Sequence, residues 1–152
     1  IIDEFAAQED GILAIYGDDL MQGEQLCSHP FIGGAAIRAA ETMYPLLGML
    51  SLRDLWVYVV YKTLGRLKYR PDIVTEHMHW LLGKAPKDST YVMGHVRVGA
   101  IDSCRLAQFF ADKFREYIPK LWRAMNPRPS VCPDPQQVLD ALKQPEIRTH
   151  NA

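Results

Sequence analysis

Asp18 and Asp19 close a short apolar run, Ile12 to Gly17, and about sixty residues later a second run, Tyr69-Arg70-Pro71-Asp72-Ile73-Val74-Thr75, ends in Glu76-His77-Met78-His79. Carboxylates at one strand end and imidazoles at another make a donor set for a divalent cation if the two ends meet. Carboxylate oxygens suit Mg²⁺ or Mn²⁺, while imidazole suits Mn²⁺ or Zn²⁺ better than Mg²⁺. A cation held there leaves positions for water and phosphate oxygens. Strand alternation puts His77 and His79 on one face and Glu76 on the other. Lys84 and Lys87 follow in a loop, where a lysine can steady a diphosphate as a point charge. Each piece also has a plainer reading. Gly-Asp-Asp is good turn chemistry, histidines are often hydrogen-bonded within a fold, and loop lysines are usually solvated. Trp80 reads as core before it reads as a sugar-stacking platform.

These residues need a scaffold that brings strand ends together. Ile12 to Tyr16 lies between Gly11 and Gly17 and is almost wholly apolar, as expected of a strand buried on both faces. Gly17 relaxes the backbone before the acidic pair. Ile2 to Gln8 has helical spacing, with Ile2, Phe5 and Ala6 on one face. Residues 21–34 are rich in turn formers, with Phe31 and Ile32 as a buried anchor. Ala35 to Tyr44 reads as a helix stopped by Pro45. Ser51-Leu52-Arg53-Asp54 approximates a capping box that opens a helix to Leu64, with Gly65 as its stop. Val57, Val59 and Val60 pull the same stretch towards strand.

Arg66 to Trp80 is the second strand region, and residues 83–89 are a loop. Asp102 or Ser103 caps a long helix with Leu106, Phe109, Phe110, Phe114, Tyr117 and Ile118 at helical spacing, which is the spacing of packing residues. Pro119 opens a continuing turn, residues 126–135 form a proline-rich connector, and Asp134-Pro135 starts a short helix, Gln136 to Lys143. The expected class is α/β, a mixed sheet with flanking helices and a helical C-terminal extension.

The 152 residues suffice for one domain that buries roughly 70% of its unfolded surface. A net charge of −1 gives no global field for nucleic acid. No apolar run approaches the roughly 20 residues that span a bilayer. Cys27, Cys104 and Cys132 are odd in number and widely spaced, which points to reduced thiols and a cytoplasmic setting. The opening Ile1-Ile2-Asp3-Glu4 lacks signal-peptide character and an initiator Met, so the chain reads as a fragment or a processed product.

Four blocks in order resemble the second half of a GT-A-type nucleotide-sugar glycosyltransferase, in particular the small glycosyltransferase-like proteins of phages and bacteria. They are Ile15-Tyr16-Gly17-Asp18-Asp19-Leu20-Met21-Gln22-Gly23-Glu24 with Ser28-His29-Pro30-Phe31-Ile32, then Leu64-Gly65, then Tyr69 to His79, then Gly83-Lys84-Ala85-Pro86-Lys87-Asp88-Ser89-Thr90-Tyr91. The resemblance covers about half the chain, from Ile12 to Tyr91. It implies a partial GT-A, Rossmann-like catalytic half over 1–100 and a helical extension over 101–152. It further implies Mn²⁺ or Mg²⁺ held by Asp19 foremost, with Asp18 beside it and His79 or His77 as a further ligand. Lys84 and Lys87 would face the diphosphate.

The implied activity is transfer of a sugar from a nucleotide-sugar donor to an unknown acceptor. The acceptor's base stays open, because Tyr58 stands where an Asp is expected and Asp54 is out of register. Two rival readings are a non-catalytic module, self-associating or docking a partner that completes the sheet, and a metal-dependent phosphohydrolase. The last lacks the extra carboxylates of a two-metal site.

Overall fold

A computed structural model of the chain describes residues 1–44, 53–89, 92, 103–128 and 130–133. The described part is mixed α/β, with a three-stranded mixed sheet and four helices. Helix α1 (Ile2–Ala6) leads to strand β1 (Ala14–Asp18), the short strand β2 (Phe31–Ile32) and helix α2 (Gly34–Ala40). Helix α3 (Arg53–Thr63), strand β3 (Leu67–Val74) and the long helix α4 (Ser103–Met125) follow. β1 is central, antiparallel to β2 and parallel to β3.

β1 is buried on both faces, as its unbroken apolar run predicts. The valines of 57–60 lie in α3, where they are buried, so core packing overrides their strand preference. Gly65 ends that helix with φ of 64°, and the Arg66 N–H closes on the Tyr61 carbonyl at 2.7 Å. In α4, Phe110, Phe114, Tyr117, Ile118 and Leu121 point into the same core as β1 and α3. Trp56 of α3 stacks on Phe114, with centroids 4.4 Å apart and planes 3° apart.

Several expectations change. Phe31 is 44% exposed and belongs to a strand, because β2 is a sheet edge. Ile2 is 83% exposed, so α1 is held instead by Glu4, which pairs with Lys68 and Arg70 of β3. α2 stops at Glu41, which adopts φ of 64° well ahead of Pro45. Pro119 lies inside α4 and does not open a new turn. The strand region Arg66 to Trp80 shortens to end at Val74. Ser51, Asp102 and the Gln136 to Lys143 helix lie outside the described residues.

Candidate functional site

The sheet's carboxyl edge is set by a bulge in β3. β1 and β3 pair in regular register from Ala14–Leu67 to Gly17–Arg70, and then Asp18 pairs with Val74. Residues 71–73 therefore have no partner in β1, and Pro71, which lacks an N–H, sits where no ladder bond is required. Gly17 permits the bulge. A Cβ there would collide with the Ile73 carbonyl oxygen. Its backbone is not left-handed, so close approach explains this glycine, not the conformational relaxation expected from sequence.

The bulge decides which residues meet. An unbroken register would carry the spacing of Gly17 and Arg70 forward and bring Asp19 opposite Asp72, carboxylate against carboxylate. Instead Asp72 folds back onto Arg70. Past the bulge, the Thr75 N–H donates to the Asp18 carbonyl at 2.9 Å and the His77 N–H to the Asp19 carbonyl at 3.0 Å.

The Asp19 side chain is 2% exposed. Its Oδ1 accepts the backbone N–H groups of Met21, Gln22 and Gly23 at 3.1, 2.6 and 3.0 Å. Its Oδ2 lies 3.1 Å from Nδ1 of His77. Burial pushes this carboxyl up, but hydrogen bonds from Gln22, His77, Met21 and Gly23 outweigh it and hold the group at about 2. Asp18 is half-buried; its Oδ1 accepts the Leu20 N–H at 2.9 Å. Leu20 and His29, both beside the cluster, adopt left-handed φ of 58° and 52° without being glycine, a local cost that surrounding contacts must offset.

Two further residues lie near the site, His29 and Asp54, the second of which the sequence set aside as out of register. The exposed His29 ring stands edge-on to His77 at 5.3 Å. Asp54, in the first turn of α3, is raised by burial, lowered by the charges of His29 and His77, and raised by Asp19, which places it within the same field. Spacing could not reveal either, because both arrive through tertiary packing. Tyr58, at the position expected of the base, instead accepts a hydrogen bond from Lys62 one turn along at 2.7 Å.

The expected residues divide. His77 and His79 are neighbours, rings edge-on at 5.3 Å, but Nδ1 of His79 accepts the Leu81 N–H and caps the short 3₁₀ turn Trp80–Leu82. Lys84 pairs with Glu76 at 2.7 Å, and Lys87 lies 4.3 Å above the Trp80 ring. Both lysines thus tie their own loop, an engagement that sequence position does not reveal.

Carboxylate and imidazole together suit Mn²⁺. Oδ1 of Asp19 already accepts three bonds and Nδ1 of His79 accepts one, so Asp18 and His77 are the less committed of the expected donors. Among the described residues no group of three or more His, Cys, Asp or Glu is arranged to hold a metal ion. Two protein ligands plus phosphate oxygens and water are the usual arrangement for an ion that binds together with a nucleotide. Two cavities of about 310 and 390 Å³ lie elsewhere and include neither Asp19 nor His77. The carboxyl edge is the better candidate because a buried carboxylate and imidazoles converge there at the ends of two parallel strands, whereas the ionisable groups of the first cavity, Lys113, Glu116 and Lys120, are largely engaged in surface ion pairs.

Comparison of the chain with protein-family models, curated proteins and solved structures finds no match. No helix among the described residues is long and apolar enough to cross a membrane.

Proposed function

We propose that this α/β unit is the metal-binding half of a GT-A-type glycosyltransferase, acting on a nucleotide-sugar donor. The observation that carries the reading is the meeting of Asp19 and His77 across the ends of two parallel strands, with Asp18, His29 and Asp54 around them. Parallel strands in an open α/β sheet bind ligands at this edge. Asp18 and His77 would hold Mn²⁺ or Mg²⁺, which when bound neutralises charge on the departing nucleoside diphosphate. Asp54 would take the proton from the acceptor hydroxyl. Its burial favours that role by raising its proton affinity.

A thermal melt with Mn²⁺, with a panel of nucleoside diphosphates, and with both together tests the reading. The expected result is stabilisation that requires both and disappears in His77→Ala, amounting to about 2.7 kcal/mol at one hundred times the dissociation constant. No shift with any combination would sink it. A second reading, a non-catalytic module of the same ancestry, draws on Lys84 and Lys87, which are engaged within their loop and not turned to a ligand. Binding without sugar transfer or donor hydrolysis would favour it.

A further inference from the structure

We infer that Asp19 is a positioning residue whose two oxygens have separate tasks: Oδ1 folds the loop 20–23, and Oδ2 fixes His77 as the Nδ1–H tautomer with Nε2 turned to the ligand. This rests on the proposed donor site and assigns Asp19 a role behind His77 in place of direct cation contact. A carboxylate only accepts hydrogen bonds, so in the 3.1 Å contact between Oδ2 and Nδ1 the imidazole must donate. A neutral imidazole that donates from Nδ1 carries its lone pair on Nε2. Nε2 makes no hydrogen bond among the described residues, and the His77 side chain is 26% exposed, enough for a ligand to reach it.

His79 is fixed the other way. Its Nδ1 accepts the Leu81 N–H at 3.2 Å, so its proton is on Nε2. Two histidines with adjacent rings are therefore opposite tautomers. The carboxylate–imidazole–ligand order is the usual way a protein orients a metal-binding histidine.

Asp19→Asn separates the two tasks. Three converging N–H groups donate to the Oδ1 position, so the amide oxygen must occupy it, because an NH₂ group there would face three donors. The Asn NH₂ must then point at His77 and donate to Nδ1, which moves the imidazole proton to Nε2. The experiment is long-range ¹H–¹⁵N correlation of the histidine rings at neutral pH, in the wild type and in Asp19→Asn. The expected wild-type spectrum shows His77 as Nδ1–H and His79 as Nε2–H. In Asp19→Asn, His77 becomes Nε2–H while His79 is unchanged. Mn²⁺-dependent binding of a nucleoside diphosphate should fall about 10–100-fold in the variant.

Wild-type His77 as Nε2–H, or an unchanged tautomer in Asp19→Asn, would overturn the assignment. So would a diamagnetic Zn²⁺ titration in which the metal replaces the Nδ1 proton, since Asp19 would then be a direct ligand. The ring spectrum needs no substrate. If nucleotides fail to bind while the tautomers are as stated, the donor reading fails and the positioning role stands.

Discussion

The aromatic core under α3 and α4 and the carboxyl edge of the sheet are held together by opposite means. Trp56 is packed by Phe110, Phe114 and Tyr117 together, with centroids 6.0, 4.4 and 5.3 Å away, so the load is shared by non-directional contacts. At the carboxyl edge, the one carboxylate of Asp19 carries the loop 20–23 and the His77 ring through directional bonds. A shared load tolerates a change of shape but not a loss of volume. A directional one tolerates neither a change of charge nor a swap of donor for acceptor.

The largest expected effect is in the core. Trp56→Ala should cost about 3–5 kcal/mol, read as a fall in the urea midpoint. Trp56→Phe should cost much less, because Nε1 of Trp56 is buried with no acceptor among the described residues and its removal leaves no polar group unsatisfied. Equal losses in the two variants would mean that the indole N–H contributes and that the core is directional after all.

Gly17→Ala comes next and joins the two regions. Its methyl group would press on the Ile73 carbonyl, and overpacking of this kind costs about 1–3 kcal/mol. Displacing the bulge also shifts the register that pairs Asp19 with His77. The His77 ring resonances should therefore move in this variant, whereas in Trp56→Phe they should stay. Resonances that respond to both would dissolve the contrast between the regions.

How far these features were legible in sequence follows the same divide. Ile12 to Tyr16, Gly65 after its helix, and the aromatic stripe of α4 could be read because each depends on local periodicity or a single backbone preference. The sheet edge depends on relations between distant residues. Nothing local in Tyr69 to His79 says that residues 71–73 step out of the ladder, and that step decides that Asp19 meets His77 and not Asp72. That Asp19 and His77 could meet was legible from residue type and position. Asp54 and His29 come near them only through packing, and spacing alone left the base open, with Tyr58 where an Asp was expected and Asp54 out of register.

Acid should probe the directional region selectively. The Asp19 carboxyl is held at about 2 against an ordinary 3.8, so its contribution is complete above the unfolded value and is lost as pH falls through the folded one. That contribution is about 2 kcal/mol. Stability measured from pH ~4 down to ~2 should fall more steeply in the wild type than in Asp19→Asn, which has no carboxyl to protonate there. Parallel acid limbs would mean that the three N–H groups hold Asp19 no better than water does.

The smallest effect on stability concerns the loop that ties itself. Glu76 and Lys84 form an exposed pair, so Glu76→Gln should change stability by less than about 1 kcal/mol. Its value lies in what it releases. If Lys84 is held back from the donor phosphates by Glu76, freeing it should tighten binding of a nucleoside diphosphate, and the gain should shrink as salt is raised. Unchanged affinity in Glu76→Gln, together with unchanged affinity in Lys84→Ala, would leave this lysine as a tie within its own loop. In the proposed site the phosphates would then be met from the strand ends alone, by the cation that His77 would help to hold.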